Sequence, residues 1–361
     1  METSPCTITH VGALRAYVGC RTSAARGARG RGIEVFELSS DGAWNRLQTV
    51  PAGENPSYLL LDEARGALHG VHGDGATISS FRVEPTGELV ASSSMSTEGT
   101  NPVHLAFSAC GRWLLVANYA GGSVVCLPVL ADGSLGEVCH RLDLPDRPGP
   151  HRSQQRGAHP HQLVLDPSKR WLLVPDKGGD AIHTVAVDEE TGSLRLASSF
   201  AAAPGSGPRH MVFSADGIRA WVVLELSSQV MALHFDPATG SMRATQRTSS
   251  VPDAFTGENT AAGIALSADG RALFVSNRGH GSVARFAIDR DSGALTSPEW
   301  IDTQGKVPRF ITTAPGGDLV VANEDADTIV RIALTEFKVT PLTTTGSPVC
   351  IAFTHHVKGI S

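Results

Sequence analysis

One unit recurs along these 361 residues: a proline, two residues and an apolar position, then a turn, then an apolar strand ending in a polar residue. Its clearest copy is NPVHLAFSACGRWLLVANYAGGSVVCLPVLADGSL, residues 101–135. Further copies start at Pro56 (NPSYLLLDEARGALHGVHG), Pro160 (HPHQLVLDPSKRWLLVPDKGGD), Pro208 (GPRHMVFSADGIRAWVVLEL) and Pro308 (VPRFITTAPGGDLVVANE). One copy lacks the proline (TAAGIALSADGRALFVSNR, from Ala261), and one is truncated (SPVCIAFT, around Pro348), which makes seven. A full copy holds four short alternating stretches, such as HLAFS, WLLVANY, SVVCLPVL and GEVCHRL, separated by Asp-Gly, Gly-Gly or Thr-Gly turns. Period-two alternation with glycine turns specifies small antiparallel sheets and excludes helices. Four-stranded sheets repeating every 40 to 58 residues predict an all-β, seven-bladed propeller.

The truncated seventh copy supplies only a first strand, at 348–354, whereas the N-terminal segments LRAYVGC, GIEVFELSS and NRLQTV supply three strands that lack one. The two ends therefore complete one blade and leave no open sheet edge in the ring. The expectation is a single domain over 1–361, with residues 1–10 a loose extension and 355–361 a tail.

Composition limits what such a ring can bind. Apolar residues make up 41% and charged residues 18%, with 38 Gly and 21 Pro, the balance of a folded, turn-rich chain. A net charge of −6 argues against nucleic acid or anionic membrane as a partner, since both demand a basic face. The six cysteines (Cys6, Cys20, Cys110, Cys126, Cys139, Cys350) have neither CxxC pairing nor metal-finger spacing and read as reduced, mostly buried thiols. The N-terminus lacks a basic and apolar leader, and no apolar run approaches the roughly 20 residues of a membrane helix. A cytoplasmic monomer or weak homo-oligomer without cofactor or metal is expected.

In each blade the first two strands form a hairpin, so the start of the first and the end of the second share one rim. Aligning the copies places Ser57, Val103, His161, Arg209, Ala262, Arg309 and Val349, each with its following residue, at that rim. Opposite them stand Cys20, His72, Asn118, Asp176, Glu225, Asn277 and Asn323, followed by Arg21, Gly73, Tyr119, Lys177, Leu226, Arg278 and Glu324. Asn at three of the seven strand ends fits a repeated scaffold role. The change of residue type between copies does not. His159, His161, Arg209, His210, Glu225, Arg278 and Arg309 come from four consecutive copies and converge on one side of the mouth. Arginines at a concave opening of an acidic protein suit a carboxylate or phosphate, and histidine and glutamate beside them can move a proton. Glu225 ends the apolar run AWVVLEL, where an acid without a partner would be costly. The ligand types of His159, His161, His210 and Glu225 could suit a metal, but Arg209 and Arg278 nearby disfavour a cation. The sequence holds no Gly-rich phosphate loop, GxSxG elbow or Cys/His dyad.

At GRWLLVANYAGGSV, HPHQLVLDP, VPDKGGD, GPRHMVFSADG, LELSSQV, DGRALFVSNRG and VPRF, from about residue 50 to the C-terminus, the chain resembles the propeller-type lactonase family, which includes 6-phosphogluconolactonase and carboxy-cis,cis-muconate cyclase. The first 50 residues match more weakly. The resemblance implies an enzyme acting on a small anionic lactone or on an acid that cyclises to one. It implies active-site groups at His159 and His161, Arg209, Glu225 and Arg278. Departures from the family pattern fall on the other side of the mouth: His72-Gly73 where Asn-Glu is common, Gly19-Cys20 where a Gly-Thr-Tyr run is usual, and Lys177 where an apolar residue is typical.

The catalytic set expected is thus Glu225, His161, His159, Arg209 and Arg278, with His210, Arg309, Asn118, Lys177, Asp176, Asn277 and His104 binding substrate. In the leading reading the arginines, with Arg309 or Lys177, hold the phosphate or carboxylate and stabilise an oxyanion, while Glu225 or a histidine of the HPH segment activates water. The rivals are a cycloisomerase that consumes no water, and a non-catalytic binding platform, whose mark would be a large exposed apolar patch and a plugged mouth.

Overall fold

The computed structural model describes residues 14–296 and 298–354, so the expected extension at 1–10 and the tail at 355–361 lie outside the described residues. Seven four-stranded antiparallel sheets form the ring. We number them as blades from the closing one. Blade 1 orders its strands Pro348–Phe353, Leu14–Cys20, Ile33–Leu38 and Trp44–Val50, so the C-terminal strand joins the three N-terminal ones. Blades 2 to 7 follow in sequence, spanning 56–96, 102–143, 164–201, 208–249, 261–302 and 308–344.

Each junction between neighbouring blades holds its own apolar cluster, and there are seven clusters for seven junctions. Leu115, Ala117 and Val124 of blade 3 meet Leu172, Val174 and Val185 of blade 4, for example. The middle strands are covered on both faces by adjacent blades, so Leu114, Leu115, Val116 and Ala117 are all fully buried. That is why WLLVAN and AWVVL read as continuous apolar runs, while outer strands such as Leu194–Ala201 (LRLASSFA) alternate with polar positions.

Three strands differ from the repeat. The fourth strands of blades 3 and 6 form ladders only over His140–Asp143 and Glu299–Asp302. In blade 4 the first strand shrinks to Val164–Leu165, and an isolated bridge between Pro160 and Asp176 replaces the rest of the ladder. The HPH segment stays tied to the second strand by the Lys177 N–H to the His159 carbonyl and the His161 N–H to the Pro175 carbonyl, and the Asp176 carboxylate accepts the His159 N–H at 2.6 Å, pinning the chain at the rim.

Closure of the ring rests on the pairing of Ala16 with Phe353, Tyr17 with Ala352, Val18 with Ile351 and Gly19 with Cys350. Ending the chain at Ser347 would remove Val349, Cys350 and Ile351, each at most 4% exposed. At about 1.5–3 kcal/mol per buried apolar side chain, the loss lowers Tm by roughly 6–12 °C in a chain of this length. Melting followed by circular dichroism checks this, and an unchanged Tm would show that the C-terminal strand does not close the ring.

Candidate functional site

At the rim where first strands begin and second strands end, a cavity of about 630 Å³ opens, and residues from all seven blades line it. Blades 2 and 3 contribute Tyr58, Gly73, Val103 and Tyr119, a sector without charge. Blades 4 to 6 contribute His159, His161, Lys177, Arg209, His210, Glu225 and Arg278, and blades 7 and 1 contribute Arg309, Arg21 and Arg26.

Glu225 is the hub of the first charged sector. One oxygen, Oε1, accepts a hydrogen bond from Lys177 Nζ at 2.7 Å and lies 2.9 Å from an Arg278 terminal nitrogen. The other, Oε2, lies 2.9 Å from Arg209 Nε, close enough for an ion pair but off hydrogen-bond alignment. Lys177, Arg209 and Glu225 are 4%, 3% and 4% exposed. Burial on its own would raise the Glu225 carboxyl, but Arg278, Lys177 and Arg209 more than offset it and hold the group well below the usual carboxylate range. Burial likewise pulls the Arg209 guanidinium down to about 9, because Glu225 restores only part of what Arg309 and Arg278 oppose. Glu225 and Arg209 therefore stay charged at neutral pH. Lys177 also donates to Gln154 Oε1 at 2.8 Å, and Arg209 to the Ala262 carbonyl at 2.8 Å.

Six cations (Arg21, Arg26, Lys177, Arg209, Arg278, Arg309) line the cavity with two carboxylates, Glu225 and Glu258. Two further acids pair from outside the lining, Glu324 with Arg21 and Asp74 with Arg26, which leaves two positive charges in excess. Such an excess in a concave, partly desolvated space attracts anions.

The histidines divide by environment. His159 stacks on Tyr119 with centroids 4.5 Å apart, and its Nδ1 lies 2.8 Å from the Tyr119 carbonyl. In the tautomer that donates this bond, Nε2 carries a free lone pair. His161, His210 and His104 form an edge-to-face run with centroids 5.2 and 5.6 Å apart. Burial first, then Arg209, pushes His161 and His210 well below the ordinary histidine value, and pushes His104 to about 3.

The structure brings His159, His161, Lys177, Arg209, His210, Glu225, Arg278 and Arg309 together at the cavity. Four residues expected to bind substrate do not line it. His104 packs its ring on Tyr58 at 3.9 Å and its Nδ1 accepts the Leu163 N–H, so it supports the site from beneath. The Asp176 carboxylate accepts the backbone N–H groups of His159, Gly178 and Gly179 and faces His183 Nε2 at 3.3 Å. Asn118 and Asn277 are clamps between strands: their amides donate to the Thr97 and Ser250 carbonyls and to the hydroxyls of Ser123 and Ser282. Asn323 repeats that clamp with Thr303 and Thr328. Asn118 and Asn277, expected from the sequence to bind substrate, thus take the scaffold role that the three-fold Asn repeat also fits.

Several lining residues were not singled out from the sequence. Tyr119 and Arg21 were recorded at the rim without a role, although Arg21 stands with Lys177, Arg278 and Glu324 as a charged member of its aligned series, which was a usable signal. Gln154 and Arg26 sit on loops outside the repeat, where alignment of copies assigns no place. The neighbouring Gln155, 1% exposed, ties its loop to the Lys177 carbonyl at 2.9 Å. The five described cysteines are unpaired, with Cys20, Cys126 and Cys350 buried and Cys110 and Cys139 exposed, while Cys6 lies outside the described residues.

The buried histidines set an acid sensitivity. His69, pushed down to about 4 by burial, joins His104 at about 3 and His161 and His210 as groups neutral in the folded state. As pH falls through the unfolded value of about 6.5, the unfolded chain binds protons that the folded chain refuses, so stability present above that pH is lost below it, at about 1.4 kcal/mol per pH unit per histidine. Tm should fall steeply from pH 7 to pH 5, with a shallower slope in His69→Phe and His104→Phe. A flat Tm over that range would show that these histidines titrate normally.

Comparison with known proteins identifies the family. The family model described as lactonase, 7-bladed beta-propeller, matches residues 15–353. A 6-phosphogluconolactonase of Bacillus subtilis is 32% identical over 94% of this chain and 98% of its own length. Among solved structures, a periplasmic gluconolactonase of Pseudomonas aeruginosa superposes with a TM-score of 0.84 and 32% identity, covering 95% of this chain and 99% of that one. A protein from Lactobacillus plantarum superposes with a TM-score of 0.86 and 30% identity, covering 95% and 100%. With a seven-bladed ring, a match over nearly its whole length and relatives above 30% identity, the chain belongs to the lactonase family of seven-bladed β-propellers.

Proposed function

We propose that this protein hydrolyses a small anionic lactone, a sugar-phosphate lactone of the 6-phosphogluconolactone kind being the best fit, at the mouth of blades 4 to 6. The observation that carries the reading is the set of three cations, two buried and Arg278 partly exposed, around one buried carboxylate, beside a histidine whose Nδ1 is already engaged. His159 Nε2 takes a proton from water as the oxygen attacks the lactone carbonyl. Lys177 and Arg278 have N–H groups beyond those directed at Glu225, and they receive the oxyanion. The protonated His159 then returns the proton to the departing ring oxygen, leaving the open hydroxy acid. Glu225, held ionised by its three partners, is a poor base; it positions the cations instead.

Other observations favour catalysis over a passive platform. Exposed large apolar residues (Leu47, Val90, Leu130, Ile218, Trp300) are scattered over different blades, and the mouth holds an open cavity. Among the described residues no helix is long and apolar enough to cross a membrane. Unpaired cysteines suit a reducing compartment, and we place the enzyme in the cytoplasm as a monomer or weak homo-oligomer.

Acid release from 6-phosphogluconolactone, glucono-lactone and muconolactone, followed by pH-stat above the spontaneous rate, tests this. His159→Gln should lower kcat by about a hundredfold or more with Tm preserved. Glu225→Gln should lower both kcat and Tm, since it leaves the buried Lys177 and Arg209 facing each other and Arg278 without their counter-charge. Full turnover in His159→Gln would remove that residue from the mechanism. With a carboxymuconate added as a further substrate, loss of its diene absorbance without acid release would favour the cycloisomerase.

A further inference from the structure

We propose that Arg21, Arg26 and Arg309 form a second anion subsite, distinct from the Glu225 cluster, which grips a phosphate monoester on the substrate's tail while the carbonyl reacts at blades 4 to 6. This rests on the lactonase reading above and assigns the direction in which the substrate lies.

Arg21 is a guanidinium 6% exposed that lines the cavity. Its Nε lies 2.9 Å from Glu324 Oε1 but without hydrogen-bond alignment, and the other oxygen of Glu324 is 3.7 Å from Arg309 Nε. One carboxylate thus stands between two guanidiniums and satisfies neither. Burial and the facing Arg309 pull Arg21 down to about 9, and Glu324 restores only part of that. Arg26, paired with Asp74, closes the outer side of the same sector. Three planar forks converging with only two acids to share suit the oxygens of a phosphate.

The backbone holds this sector in place. A Cβ on Gly30 would meet the Arg21 carbonyl at 2.4 Å and the Gly346 carbonyl at 2.8 Å, and one on Gly346 would meet the Arg29 carbonyl at 2.1 Å. Two glycines therefore let the Arg21 loop cross the segment that leads into the closing strand. Asn55 Oδ1 accepts the Thr22 and Ser23 N–H groups at 2.9 and 3.0 Å, fixing the loop from the blade 2 side. Because the remaining sector, with Tyr58, Val103 and Tyr119, offers no charge, a substrate with an anionic tail can place it only on blades 7 and 1 once its carbonyl occupies blades 4 to 6.

The test compares wild type, Arg21→Gln, Arg21→Lys and Arg26→Gln. Arg26 is 40% exposed in its side chain, so its variant keeps a folded reference even if the buried change unsettles blade 1. The readouts are the ratio of kcat/KM for 6-phosphogluconolactone over glucono-lactone, the same ratio for muconolactone, and calorimetric binding of inorganic phosphate at fixed ionic strength. The phosphate ratio should fall ten- to a hundredfold in Arg21→Gln and severalfold in Arg26→Gln, carried by KM, with Arg21→Lys between. Phosphate binding should weaken in parallel. An unchanged ratio and unchanged phosphate binding in both folded Gln variants overturns the subsite while leaving the lactonase reading standing. A larger loss on muconolactone than on the phosphorylated lactone also overturns it, in favour of a carboxylate tail. If wild type opens none of the lactones but phosphate binding depends on Arg21 and Arg26, the lactonase reading fails and the subsite stands.

Discussion

Glu225 holds three cations within 3 Å of one buried carboxylate, and the site is arranged around that contact. Its charge is what lets Lys177, Arg209 and Arg278 be desolvated side by side, and its two oxygens cannot satisfy all of their donors. What remains unsatisfied faces the cavity. The same imbalance recurs at Glu324, between Arg21 and Arg309. A protein with a net charge of −6 thus carries a local positive excess in its one ring mouth of mixed histidines and arginines.

The scaffold makes this arrangement affordable because the seven inter-blade clusters fix every strand end before any charge is placed. Lys177, Glu225 and Arg278 sit one or two residues past the second strands of blades 4, 5 and 6, and Arg209 and Arg309 sit at the starts of first strands in blades 5 and 7. Each side chain is therefore carried by a strand whose neighbours are apolar and close-packed. Positions that need not contact ligand, such as Asn118, Asn277 and Asn323, use the same strand ends to clamp one strand to the next.

The repeat made the fold and the rim legible, because period-two patterning and turn glycines are local properties that survive in each copy. It carried Glu225, Arg209 and Arg278 to the cavity for the same reason. What it could not carry was the direction of side chains that share a strand end. Asp176 and Glu225 are equivalent in the alignment, yet one accepts backbone N–H groups and the other faces cations, a difference set by partners from other blades. Arg26 and Gln154 lie on loops with no counterpart in other copies, so only the folded chain shows that they reach the mouth. His104 has the composition of a site residue and is instead turned under Tyr58.

The central physical claim is an unneutralised positive excess in the cavity, and thermal unfolding in the presence of anions measures it most directly. At constant ionic strength, 6-phosphogluconate and inorganic phosphate should raise Tm progressively, with stabilisation of about 2.7 kcal/mol at a hundred times Kd, while sodium chloride should not. Equal Tm values in phosphate, 6-phosphogluconate and chloride would contradict the account.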